Sequence, residues 1–312
     1  MENLLVCVNA VLPIFLLLMV GYLARILKLV DDEDVRKINR LMFKLFMPAV
    51  MFYSVYNSDL SSAVRPRLLL YTVAAVLSAF GLSCLAARWA VRERNQKGVF
   101  IQGVFRSNFV IIGIPIVSSL MGDVDMGPVA VLLAVVVPLF NVLSVIILQY
   151  YNGQKPEIGK MLLAVVKNPL ILGTVAGILA VALKLRLPVF LVSAVRQLSQ
   201  AASAVLLVML GAFFKFDGLS RYRRELSLVC LGRLVIVPGI FLGLAGLLGF
   251  RGVEMAALLG VFASSTAVNS FTMAQQMGGD AELAGDIVVA TSALCSFTLF
   301  GWGLLLKTLG LL

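Results

Sequence analysis

The chain has 312 residues, of which 61% are apolar and 13% charged, and its mean hydropathy is +1.01. A water-soluble globular chain does not carry so few charges, so the solvent for most of this one is lipid. The net charge of +10 is spread over short loops between apolar runs rather than along a stripe, which fits membrane topology and speaks against a nucleic-acid partner.

The first apolar run, residues 4–27, has no basic residue before it and no small-residue cleavage site after it, and reads as a retained helix rather than a leader. Nine runs follow, at 38–56, 68–92, 98–121, 127–151, 168–184, 188–215, 226–250, 253–277 and 283–310. Each is long enough to cross a hydrocarbon core of about 30 Å as a helix, which predicts an all-α polytopic protein with ten transmembrane helices in the lipid bilayer. The stretch 156–167 sets apolar residues between lysines and is expected either to lie along the inner membrane surface or to begin the sixth span early.

Short loops must alternate between the two faces of the membrane. One set carries sixteen lysines and arginines, from Arg25 and Lys28 through to Arg223 and Arg224, and the other, with Arg65, Arg186 and Arg251 among them, carries seven. The excess of basic residues puts the first set in the cytoplasm and both termini outside. Histidine is absent, and Cys7, Cys84, Cys230 and Cys295 fall in separate runs without paired spacing. No cofactor, metal centre or catalytic residue is expected, and an enzyme is the least favoured class.

Displaced by half its length, the chain matches itself: Pro13 meets Pro169, Gly21 meets Gly177, Leu23 and Ala24 meet Leu179 and Ala180, and Lys28 meets Lys184. Met121-Gly122 likewise falls opposite Met277-Gly278. Residues 1–151 and 152–312 are therefore expected to be two repeats of five spans, the second inverted because five is odd. Inverted repeats are a transporter signature, with sites near the midplane where broken helices meet.

The fourth span holds Arg106-Ser107-Asn108 and then Gly113-Ile114-Pro115. Proline removes a donor and clashes with the preceding turn, which is expected to release carbonyls near Asn108 and Ile111 toward a cavity. The ninth span crowds Ser264, Ser265, Thr266, Asn269, Ser270, Thr272, Gln275 and Gln276 into thirteen residues. Polar groups at this depth must face protein or water. Asn108 and Asn269 suit hydrogen bonds to one ligand, or, as the alternative, bonds between helices. Arg106 and Arg233 lie well inside the cytoplasmic ends of their spans and either line an access path for anions or snorkel to the headgroups. Glu254 and Asp286 fall near span ends, so no mid-span carboxylate offers itself for cation exchange, and an anionic or neutral substrate is expected.

The stretches Ser107 to Pro115, Asn141 in the fifth span, Lys167-Asn168-Pro169 opening the sixth, and Ala267 to Gln276 with Gly278-Gly279-Asp280 resemble the auxin efflux carrier family, which includes plant PIN proteins and bacterial permeases for organic acids. The resemblance implies a fold similar to bile-acid symporters and sodium/proton antiporters, with spans four and nine crossed and unwound. It implies scaffold helices 1, 2, 6 and 7, a transport domain of helices 3–5 and 8–10, an elevator-like motion, and a homodimer through the scaffold. Ser107 and Ser265 stand where the family carries crossover prolines, and the third span lacks the acid and base pair of plant carriers. Small organic anions, malate-like carboxylates ahead of auxin-like acids, are the expected substrates. The candidate substrate-binding residues are Arg106, Ser107, Asn108, Gly113, Pro115, Asn141, Arg233, Ser265, Thr266 and Asn269. A sodium-coupled symporter of the bile-acid type and a non-transporting membrane receptor are the rival readings.

Overall fold

The computed structural model describes residues 2–57, 65–121, 126–152, 158–215 and 217–312. Its regular elements are all helical: α1 (Glu2–Ile26), α2 (Asp32–Leu41), α3 (Met47–Tyr56), α4 (Pro66–Ala90), α5 (Arg94–Phe105), α6 (Ile114–Met121), α7 (Gly127–Tyr151) and α8 (Ile158–Val166) come first. They are followed by α9 (Pro169–Ala182), α10 (Val189–Phe213), α11 (Asp217–Arg221), α12 (Arg223–Leu231), α13 (Val237–Leu247), α14 (Gly252–Ala263), α15 (Asn269–Gln276) and α16 (Ala281–Thr308). Single π-helical turns join α2 to α3, lead into α6 and join α12 to α13.

Among the described residues, five uninterrupted helical stretches are long and apolar enough to cross a membrane: Pro66–Ala90, Gly127–Tyr151, Val189–Phe213, Arg223–Leu247 and Ala281–Thr308. Four shorter apolar helices accompany them. Large apolar side chains point outward along these helices, Leu70, Trp89, Val189, Phe190 and Leu247 among them. In water such a surface would aggregate; against acyl chains it costs nothing. The chain is therefore a multi-pass membrane protein.

Helix boundaries follow the local chemistry. Asp31 caps α2 in a reciprocal pair, its carboxylate accepting from the Asp34 amide at 2.8 Å while Asp34 accepts from the Asp31 amide at 3.1 Å. Asn168 caps α9 by accepting from the Leu170 amide at 2.9 Å, and Pro169 follows at the first helical position, where its missing N–H costs nothing. The sequence 156–167 resolves into a separate helix, α8, ahead of that cap; residues 156 and 157 lie outside the described residues, as do the Gly122 turn and the side chain of Cys7.

Two helix ends, after α1 and after α9, share one backbone geometry. Among the described residues, Lys28 and Lys184 are the non-glycine residues with positive φ, at 56° and 49°. Both follow a helix end by two residues, and both are fixed by the same bonds: Leu29 N–H to Ala24 O at 2.9 Å, and Leu185 N–H to Ala180 O at 2.9 Å. A left-handed cap on lysine is unfavourable by itself and is bought here by those paired carbonyls. Helix contacts repeat too. Gly21 of α1 lies so close to α10 that a Cβ would sit 1.9 Å from Val208 O, and Gly177 of α9 lies against α3 with the same atom 3.0 Å from Phe52 O. Small residues let backbones approach where apolar burial gives no driving force between helices.

Candidate functional site

Two helices stop in the middle of the bundle. α5 ends at Phe105, and Arg106 and Ser107 leave it in extended geometry before a π-helical turn, Phe109–Gly113, restarts the helix as α6. α14 ends at Ala263, and Ser264 to Val268 separate it from α15. The two gaps meet: Ser107 and Thr266 form an antiparallel bridge, and the Asn108 amide donates to Ser265 O at 2.8 Å.

The first break is not made by the mechanism its sequence suggests. Pro115 is the second residue of α6, beyond the gap, and the Asn108 carbonyl is not released, because the Ile112 amide donates to it at 3.0 Å. Gly113 serves close packing instead, lying where a Cβ would be 2.9 Å from Gly260 O. Serines in place of the crossover prolines still permit the gap, since hydrogen bonds hold it open: Ser107 Oγ and Ser264 Oγ are 2.7 Å apart, and Ser292 Oγ lies 3.2 Å from Ser265 Oγ.

Helix ends buried this way leave carbonyls without intrahelical partners, each needing a donor. Thr266 Oγ1 donates to Gly103 O at 2.7 Å, and Cys295 Sγ approaches Ala263 O at 3.7 Å. Arg233, which has no exposed surface, donates to Ser264 O at 2.8 Å, Val261 O at 2.9 Å and Phe105 O at 3.3 Å. Its head therefore neither snorkels nor lines a cavity. The Thr266 amide donates to Thr291 Oγ1 at 3.2 Å, tying the second gap to α16.

On the opposite side of the first gap lies a cavity of about 80 Å³, walled by α3 (Met47, Met51, Ser54), α7 (Phe140, Asn141), α10 (Ala202, Ser203) and both gaps. Five sequence-predicted residues come together on its wall: Arg106, Ser107, Asn108, Asn141 and Asn269. Gly113, Pro115, Arg233, Ser265 and Thr266 do not line it. Arg106 is 2% exposed and donates to Asn141 Oδ1 at 2.6 Å and to the Met273 sulfur. Asn141 in turn donates to Val137 O at 2.8 Å and to Met51 Sδ at 2.6 Å. No carboxylate pairs with Arg106 among the described residues. Asn108 Nδ2 and Asn269 Oδ1 are buried without a hydrogen-bond partner.

Sequence reasoning did not single out Met47, Met51, Ser54 and Ser203, which sit in apolar runs and gain meaning only by facing Arg106 across the cavity. It set Asp286 aside at a span end; the structure buries it in the second turn of α16, with Oδ2 unpartnered. Among the described residues no cluster of potential metal ligands occurs.

Comparison with known proteins places these features in context. The sequence profile of the family described as "Membrane transport protein" (Mem_trans) matches residues 6–303. A Rhizobium meliloti protein named "Putative malonate transporter" is 27% identical, over 93% of each chain. An "Uncharacterized transporter" of Methanothermobacter thermautotrophicus is 23% identical over 96% of this chain and 98% of its own. A Methanocaldococcus jannaschii relative with the same style of name is 22% identical over 95% and 98%.

Proposed function

The chain belongs to the Mem_trans membrane transport family, that of the auxin efflux carriers, and is a transporter rather than an enzyme; from that premise we propose that it carries small organic anions bound at the meeting of the two helix breaks. One observation carries the choice of an anion: Arg106, buried on the cavity wall without a carboxylate partner. An arginine keeps its charge at any physiological pH, and a buried charge is costly unless paired. A carboxylate at this place makes that pair, and the free Asn108 Nδ2 supplies a second donor.

The cavity, of about 80 Å³, has room for a small ligand or a few waters. The name of the Rhizobium relative makes malonate the first compound to test.

The same proposal includes ten spans in two inverted five-helix repeats, both termini outside and an elevator-like motion. The matched caps at Lys28 and Lys184 and the matched contacts of Gly21 with Val208 and Gly177 with Phe52, all 156 positions apart, support the repeat. The cavity is walled by α3 and α10 on one side and by the broken helices and α7 on the other, which supports a scaffold facing a moving domain. Uptake of labelled malonate, malate and indole acetate into proteoliposomes tests the reading. Saturable carboxylate flux that Arg106→Ala abolishes is the expected result; flux of neutral solutes alone, or of no panel member, overturns it.

A further inference from the structure

Arg233 does not line the cavity, yet among the described residues it is the bulkiest of the fully buried side chains. It sits on a π-helical turn, Gly232–Ile236, and Gly232 lets that turn press against Val104 of α5, where a Cβ would lie 3.3 Å from the valine. The guanidinium is thereby carried to the C-terminal ends of two half-helices at once, Phe105 O of α5 and Val261 O and Ser264 O around the end of α14. Each such end carries about half a negative elementary charge, so the pair presents about one, which one guanidinium cancels. No carboxylate shares it among the described residues.

Oxygens of this kind, the carbonyls of interrupted helices and their C-terminal ends, are the donors that transporters offer to free sodium near the midplane. In this chain they are already engaged, and the neighbouring Gly103 and Ala263 carbonyls are taken by Thr266 and Cys295. We propose that Arg233 is a resident cation, built into the place where a coupling ion would otherwise bind, so that the ligand site is complete without sodium. This rests on the crossing being the ligand site.

The test uses the purified full chain in nanodiscs, with malonate as ligand and sodium replaced by choline. Wild-type melting and malonate binding are expected to be unchanged by the replacement; a sodium effect of about tenfold on affinity would overturn the proposal. Arg233→Ala is expected to melt earlier and to be stabilised by ethylguanidinium or sodium, neither of which shifts the wild type. An alanine variant that melts like the wild type and ignores both cations would overturn it. Should that variant not fold, Arg233→Lys is expected to be more stable than Arg233→Gln, and the reverse order counts against a charge role. Absence of malonate binding with these cation responses intact would remove the anion reading and leave the resident cation standing.

Discussion

The two breaks use the same device to different ends. At the second, Ser264 to Val268, the exposed backbone is closed from within: Arg233 and Cys295 take the carbonyls, and Thr291 receives the Thr266 amide. At the first, Arg106 to Asn108, the backbone is bridged to the second break, while Arg106 and the Asn108 side chain turn to a cavity. Two arginines that look alike by depth in the sequence thus have opposite partners. One faces three carbonyls; the other faces an amide, a thioether and open space. A buried cation with a full set of acceptors is a structural part, and one short of a counter-charge is an invitation to an anion.

Exchanging the arginines' fates gives the largest expected effects. On the proposed reading, Arg106→Ala should weaken carboxylate binding by roughly 2–5 kcal/mol and lower stability by clearly less than Arg233→Ala, because its loss orphans the Asn141 amide oxygen alone rather than three carbonyls. Arg233→Ala should do the converse, lowering stability by roughly 3–5 kcal/mol through three orphaned carbonyls. Isothermal titration and thermal melting on both variants separate the two roles, and equal losses on both axes would erase the distinction.

Next in size is the close helix packing at two glycines. Gly21→Ala places a methyl on Val208 O at 1.9 Å, whereas Gly177→Ala meets Phe52 O at 3.0 Å. The first should cost about 1–3 kcal/mol in melting experiments and the second clearly less. A smaller contrast sits within the first break. Asn108→Ala removes a donor that has no protein partner and should lower ligand affinity about fivefold without destabilising the fold. Ser107→Ala breaks the 2.7 Å contact with Ser264 Oγ and should instead lower the melting temperature, by an amount equal to about 1 kcal/mol.

The smallest effect lies at the corner between α1 and α2, outside the spans. Hydrogen bonding from Arg25, at 2.6 Å, holds the Asp32 carboxyl below its ordinary range, aided by the charges of Arg25, Lys215 and Arg36. A depressed folded-state value means that the stabilisation is present above the unfolded carboxylate value, about 3.9, and is lost as pH falls through the folded one. Wild-type melting should therefore lose a little more than that of Asp32→Asn on acidification below about pH 4. The partners are partly exposed, so the difference is small and fades with salt.

Several features were legible in the sequence because they are local or periodic. Apolar runs declared the membrane, Asn168-Pro169 declared a helix start, and the polar ninth span together with Arg106-Ser107-Asn108 marked both breaks. The place of the first break was less legible: Pro115, the strongest breaker in the run, lies beyond it in α6, and the gap itself pairs with the second gap, a contact across about 160 residues. Met51 and Ser203 could not be recognised, since an apolar or small residue in a span has no signature until another helix faces it.

By itself the sequence determined the solvent, the helical character and the polar residues that the membrane interior would have to accommodate, all of which follow from composition and spacing along one chain. Only the tertiary structure decided which arginine is satisfied and which is not. That outcome depends on how α12 and α13 rotate against α5 and α14, and a difference of one helical face sends a guanidinium to carbonyls or to a cavity. Charge is written in the sequence, but its compensation is a property of neighbours that only folding brings together.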